Sequence, residues 1–492
     1  MTDKPFRFHD LGQRIGTEID RASPRLLAAF LFYTLALIFL LTQLDLIGGD
    51  SPPTVYLPVS ILRWGTFRLD PLMGQVPVLF NPEKPPSYLT QIDGHFYSKF
   101  SPFPALLSIP VYAIYMLVGP PENYAVYLTL SRLMSVLVST VTAITVFYLL
   151  RIILPQRRAL FLTFVYALAT FAWPMATNTF ATQSTGEMFL ALAVLMLAKI
   201  SMQPSPEAPN AVPVKLYALA GFFASLALIS RPQTLPAALL LSIYLLQFTG
   251  RRWRALFAYG IAATPAAVFL AAYNTWAFGA PWRTGYQGEA LFGWSYPLWK
   301  GLPGILISPS HGLLMYSPVM LLAFVGGWIV WRRSGKALPQ WALGRYLAAI
   351  SLLQLFLMSG WHYWNGGNAY NQRMLHEVTP LIVLLIGLAW HQYAPSRLFS
   401  LALAATTAWG IWMNVVRVAF YDQHIFWSEI YRPEIDWSLA FSELAMYIHW
   451  HGLAGMLAGA GQVALMVGGL LLALTVVMIR FVMVSNAKQS AG

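Results

Sequence analysis

The chain has 492 residues, 57% of them apolar and only 10% charged, with a mean hydropathy of +0.57. A water-facing globule carries about 25% charged residues, so a soluble domain of this length is excluded. Cysteine is absent, which removes disulfide frameworks, thiolate metal sites and cysteine nucleophiles from consideration. The net charge of +12 includes no basic tract of five or more residues, so no nucleic-acid partner is expected.

The apolar runs, taken in chain order, read as membrane spans of the roughly 20 residues that a bilayer core requires. The first, Leu26 to Leu44, follows Lys4, Arg7, Arg14, Arg21 and Arg25 with no cleavage-site pattern, and reads as a retained span. Others are expected near Val126–Leu150, Ala159–Met175, Phe180–Ile200, Leu216–Ser230, Thr234–Phe248 and Leu256–Tyr273. The series continues near Leu313–Trp331, Trp341–Met358, Val378–Tyr393, Leu398–Val416 and Gly452–Val482. These sum to about twelve helices of an all-α polytopic membrane protein embedded in a lipid bilayer, with both termini on one side.

Charge orients the bundle. With the N-terminus inside, about 20 of the 31 Lys and Arg fall in cytoplasmic segments, among them Arg151, Arg157, Arg158, Arg251, Arg252, Arg254, Arg332 and Arg333. About 14 of the 19 acidic residues and seven of the nine histidines fall outside. This is the positive-inside pattern of an inner, or cell, membrane protein. Residues 1–25 then form a cytoplasmic segment, 26–484 a single membrane domain and 485–492 a cytoplasmic tail.

Outer loops are expected near 45–125, 274–312, 360–379 and 417–451, and long loops are where binding and catalytic groups gather. Pro104–Val118 is apolar but short and rich in proline. Counting it as a crossing would turn the Arg151–Arg158 cluster outward, so it reads as an interfacial or half-buried helix within the long first loop.

Several groups in these loops could carry chemistry. Asp50 follows Gly48-Gly49 and precedes Ser51-Pro52-Pro53, a turn that would hold a carboxylate at the water–lipid boundary. The segment Asp93-Gly94-His95-Phe96-Tyr97-Ser98-Lys99 sets a lysine among aromatics. Such a cation suits a lipid phosphate, or else a snorkelling anchor. Glu187 lies inside an apolar run, where carboxylates face a cavity or a partner. The third loop carries Arg283 and then Ser308-Pro309-Ser310-His311-Gly312-Leu313-Leu314. The fourth carries Trp361-His362-Tyr363-Trp364-Asn365-Gly366-Gly367, followed by Tyr370-Asn371-Gln372-Arg373-Met374-Leu375. Aromatics, amides and glycines mixed in this way suit sugar faces and hydroxyls, with arginine available for a phosphate. His362 and His376 lack the spacing of a zinc site and read as hydrogen-bonded residues. Nucleotide cradles and the Gly-x-Ser-x-Gly elbow are absent from the sequence.

Together, the acidic motif after the first span, the long first loop, the Tyr97-x-Lys99 segment, and the Ser308–Leu314 and Tyr370–Leu375 segments resemble the GT-C membrane glycosyltransferases. The bacterial members akin to protein O-mannosyltransferases and lipid A aminoarabinose transferases are the most similar. The resemblance implies a GT-C-like bundle and transfer of a sugar from a polyprenyl-phosphate donor to an extracytoplasmic hydroxyl acceptor, with inversion. It makes Asp50 the catalytic general base and Lys99 and Arg373 the cations on the phosphate, with His311 and Arg283 behind them. Tyr97, Asp93, Glu187 and Tyr370 complete the expected substrate-binding set. No cofactor is required by the sequence, and the resemblance leaves room for a divalent cation. The competing expectation, from hydropathy alone, is a transporter or flippase for lipid-linked or small polar substrates, which would place charges at mid-membrane depth on several helices.

Overall fold

The computed structural model describes residues 16–43, 51–76, 86–119, 122–202, 214–249, 253–286, 293–333, 339–367, 370, 372–394, 396–421 and 437–490. Their elements, in chain order, are α1 Pro24–Leu41, α2 Pro52–Trp64, the hairpin β1 Leu89–Ile92 and β2 His95–Ser98, and α3 Phe103–Val118. Next come α4 Tyr124–Leu150, α5 Gln156–Ala169, α6 Ala172–Ala176, α7 Thr182–Ser201, α8 Val214–Ser230, α9 Leu235–Thr249 and α10 Trp253–Phe278. The remainder are α11 Leu298–Ile307, α12 Leu313–Tyr316, α13 Ala323–Arg332, α14 Pro339–Ser359, α15 Thr379–Tyr393, α16 Arg397–Phe420 and α17 Glu443–Ser490.

Local chemistry sets many of these boundaries. The Ser23 hydroxyl accepts a hydrogen bond from Leu26 N–H and Pro24 begins the helix, so α1 starts on a side-chain cap. Pro52 and Pro53 open α2, and Gly65 at φ 64° closes it. Pro232 forces Arg231 out of helical geometry (φ −148°, ψ 100°) and separates α8 from α9.

All twelve predicted spans fall on helical segments. By length and composition, eight helices among the described residues qualify as full crossings, and Phe103–Val118, Val214–Ser230, Leu298–Ile307 and Pro318–Arg332 are shorter apolar helices. Two predicted spans are broken by local bonding. The segment near Ala159–Met175 divides at Thr170, whose hydroxyl accepts from Ala172 N–H. The segment near Leu313–Trp331 divides at Ser317-Pro318 into α12, the 3-10 turn Pro318–Leu322 and α13.

Burial separates central from peripheral helices. The most apolar stretches of α7 and of Arg373–Tyr393 are 89% buried, whereas those of α10 and α17 are 11% buried and face lipid. Helix α8 packs against both α7 and α10. The approach is close because residue 221 is glycine, where a Cβ would come within 2.1 Å of the Tyr259 carbonyl oxygen.

The segment between α1 and α4 has a small core of its own. Val55, Tyr56 and Val59 of α2 pack with Leu69, Leu72, Leu89, Phe96 and Ala105, closing on Tyr112 and Tyr127. The last two rings stack at 5.4 Å, and the Tyr112 hydroxyl donates to the Tyr127 carbonyl at 3.0 Å. The C-terminal end of α3 leaves Ile114, Leu117 and Val118 exposed.

Candidate active site

The hairpin holds the key lysine. Asp93 and Gly94 both have positive φ (50° and 79°), the geometry of a two-residue hairpin turn in which Asp-Gly is favoured. Strand pairing runs from Ile92↔His95 to Leu89↔Ser98, and Lys99 N–H extends it to the Tyr88 carbonyl at 3.0 Å. The hairpin is clamped from the other side, because the Thr90 hydroxyl donates to the Gly285 carbonyl at 2.7 Å. Glycine is required at 285: a Cβ there would stand 2.6 Å from Lys99 Cα. The lysine main chain is therefore pinned on both sides, while its Nζ lies 5.3 Å from the centre of the Tyr286 ring.

Lys99 lines an open cleft. Ser101, Thr182, Ser230, Asn274 and Thr284 are among its uncharged polar groups, and Arg231 is its second cation. Leu270, Tyr273 and Phe278 of the lipid-facing α10 form an apolar wall.

Arg231 is held by a buried carboxylate. Its Nε lies 2.7 Å from Glu377 Oε1, with the two side chains only 5% and 1% exposed, and its Nη1 donates to the Thr182 hydroxyl at 3.4 Å. The 3-10 turn Arg373–Val378 presents Glu377 together with His376, whose Nε2 lies 3.1 Å from Glu187 Oε2. Both members of that second pair are fully buried, and the Tyr166 hydroxyl faces the same Glu187 carboxylate. Two carboxylates, an imidazole and a guanidinium from α7, the junction of α8 with α9 and the 373–378 turn thus form one polar stratum beneath the cleft.

The other expected residues are placed as follows. Asp50, Asn368, Ala369 and Asn371 lie outside the described residues. Tyr97 is buried, with its hydroxyl 3.3 Å from Arg68 Nε and its ring edge-on to Trp276 and Phe278; it supports the hairpin from behind. Asp93 is exposed at the hairpin tip, and Arg283 is exposed next to Gly279. Arg373 donates from Nε to the Gly366 carbonyl at 2.8 Å and stands one turn before Glu377. His311 is buried beside the Gly367 backbone, and burial pushes its pKa down to about 4, so it is a neutral imidazole in neutral solution. His362 hydrogen-bonds to Gly293 across the fourth loop, and Trp364 is buried against Gly304 rather than displayed for a ligand.

Tyr370 belongs to a separate buried cluster, where its hydroxyl donates to the Met413 carbonyl at 2.6 Å and its ring lies 5.5 Å from the Arg417 guanidinium. Arg417, expected at the start of an outer loop, sits instead in the last turn of α16, where it donates to the Thr177 hydroxyl and the Asn178 side-chain oxygen at 3.0 and 2.8 Å.

Arg231 and Glu377 are the site residues that the sequence reasoning missed. A signal for them exists. Glu377 is the only acidic residue between positions 290 and 421, and Arg231 is the only charged residue between 216 and 250. Isolated opposite charges in apolar sequence seek one another. Among the described residues, no group of three or more His, Asp or Glu is arranged to hold a metal ion.

No family model matches the chain, and no curated protein matches it. Among solved structures, the chain is similar to ArnT from Cupriavidus metallidurans bound to undecaprenyl phosphate, with a TM-score of 0.50 and 14% identity over 93% of this chain and 77% of that one. It is also similar to the archaeal oligosaccharyltransferase AglB from Archaeoglobus fulgidus in complex with an inhibitory peptide and a dolichol-phosphate, with a TM-score of 0.48 and 11% identity. That match covers 89% of this chain and 56% of AglB, so the chain spans a little over half of AglB's length. The likeness to ArnT shows a shared fold.

Proposed function

We propose that this GT-C-fold membrane protein is a glycosyltransferase that moves a sugar from a polyprenyl-phosphate donor to a hydroxyl acceptor on the extracytoplasmic side. The observation that carries the reading is the pairing of Lys99 and Arg231 in one cleft whose apolar wall belongs to a lipid-facing helix. A phosphate on a prenyl tail needs this combination: cations for its head and a route to hydrocarbon for its chain. The known neighbour with undecaprenyl phosphate supports the same ligand class.

In the proposed reaction the acceptor hydroxyl oxygen attacks the anomeric carbon, the bond from that carbon to the phosphate oxygen breaks, and polyprenyl phosphate departs. The proton of the hydroxyl passes to Asp50, immediately before α2. A phosphate leaving group carries its charge without a strong general acid, so one carboxylate suffices, unlike the pair that glycosidases use. Lys99 stabilises the charge that develops on the phosphate, and Arg231, fixed in place by Glu377, does so without reorganising. A single base acting opposite the departing phosphate inverts the anomeric centre. No step is assigned to a metal ion.

The test is an assay of the protein in nanodiscs with a panel of radiolabelled polyprenyl-phosphate sugars, comparing the native chain with Asp50→Asn and Lys99→Gln. Release of polyprenyl phosphate that Asp50→Asn abolishes and Lys99→Gln lowers about 100-fold or more is the expected result. Turnover unchanged in Asp50→Asn would remove Asp50 as base. Failure of every donor to bind would overturn the transferase reading itself.

A further inference from the structure

A second, open cleft lies at the opposite end of the bundle. Helix α7 connects the two: Thr182 at its start lines the Lys99 cleft, and Ala198, Ser201 and Met202 at its end line this one. The sixteen residue steps from Thr182 to Ala198 correspond to about 24 Å of helix. The remaining walls come from the end of α4 and the turn after it and from α14 and α15, including Leu149, Ile153, Leu347 and Leu388.

The lining offers hydrocarbon almost exclusively. Its one hydroxyl, Ser201, is already committed, donating to the Leu197 carbonyl at 2.8 Å and bonded to the Tyr244 hydroxyl. A polar ligand would find no free partner there, whereas an alkyl chain would need none.

The charges next to the lining residues in sequence are of one sign. Arg151 directly precedes the lining residues Ile152 and Ile153, Lys199 directly follows Ala198, and Arg345 directly follows Gly344. No Asp or Glu occurs at positions 123–186, 188–206, 290–376 or 378–421, and Glu187 of α7 is turned to His376 beneath the Lys99 cleft, about three turns before Ala198. The same end carries three arginines resting on tryptophans: Arg158 on Trp390, Arg332 on Trp328 and Arg333 on Trp341, at 5.4, 4.5 and 5.1 Å. Tryptophan and arginine together mark the level of lipid headgroups.

We infer that this cleft binds an acyl chain of an anionic phospholipid whose headgroup meets the basic rim. The site is separate from the Lys99 cleft and does not depend on the activity proposed for it. An apolar groove between helices under a one-signed cationic collar recognises such a lipid by charge and chain together.

Native mass spectrometry of the intact protein, titrated with phosphatidylglycerol or phosphatidylcholine of identical acyl chains, tests this. The native chain is expected to retain one phosphatidylglycerol with at least tenfold preference. Met202→Trp, at an exposed residue of the cleft mouth where folding is undisturbed, is expected to lower that retention about tenfold. The double substitution Arg151→Gln with Lys199→Gln is expected to leave retention of phosphatidylcholine unchanged while erasing the preference. Equal retention of the two lipids by the native chain, or unchanged phosphatidylglycerol retention in Met202→Trp, would overturn the inference.

Discussion

At the scale of single residues, the two cations of the cleft are supported in different ways. Lys99 is fixed through its backbone, with its Nζ set 5.3 Å from the centre of the Tyr286 ring, whereas Arg231 is fixed through its guanidinium by Glu377. Lys99→Gln is therefore expected to fold normally and to lower turnover about 100- to 1,000-fold, the range seen when one preorganised electrostatic contact is removed from a transition state. Glu377→Gln strands a buried arginine, and a loss of roughly 3–5 kcal/mol of stability is expected from equilibrium unfolding. Replacing both partners, Arg231→Met with Glu377→Leu, should recover much of that stability without recovering activity. His311 gives the pH dependence. Its folded pKa of about 4 lies below the ordinary 6.5, so the unfolded chain binds the proton more readily. Stability is thus full above pH 6.5 and falls as pH drops towards 4. Thermal unfolding followed across that window should show a shallower fall in His311→Asn than in the native chain.

At the scale of elements, helices were the most legible and the site only partly so. Twelve apolar runs mark helical segments because each must satisfy its backbone internally, and hydropathy reports that requirement directly. It cannot report where a hydroxyl such as Thr170, or a proline such as Pro318, interrupts a run. Lys99 could be read from its aromatic neighbourhood, and the Asp-Gly turn beside it was visible in the same segment. Its partnership with Arg231 depends on α8 ending at Pro232 and on the 373–378 turn lying across α7, long-range packing that has no local signature. Arg417 shows the converse error, since a charge at an apparent span boundary reads as loop when buried hydroxyls and amides in fact receive it. The clamp between hairpin and third loop is testable at this scale. Gly285→Val should displace Lys99, raising the apparent KM for donor more than tenfold while far-UV circular dichroism and size-exclusion behaviour stay native.

At the scale of the whole molecule, the absence of cysteine makes the expected orientation directly measurable. Single cysteines at Trp282, which is 80% exposed, and at Gly492 should label differently with a membrane-impermeant maleimide in intact cells. Label on Trp282→Cys from outside, and on Gly492→Cys only after permeabilisation, is the expected pattern; the reverse would invert the bundle. The last helix, α17, gives the molecule a different property. Gly452, at φ 66° and ψ 160°, divides it, and the stretch from Leu453 to Arg480 is apolar and faces lipid. Those residues would extend about 42 Å if upright, against a hydrocarbon layer of about 30 Å. The excess must be taken up by leaning, with the glycine break as the pivot and α16 and α1 as the neighbours it leans along. This one peripheral rod would therefore respond to bilayer thickness, steepening in thick membranes and reclining in thin ones, while the buried centre of the bundle keeps its shape.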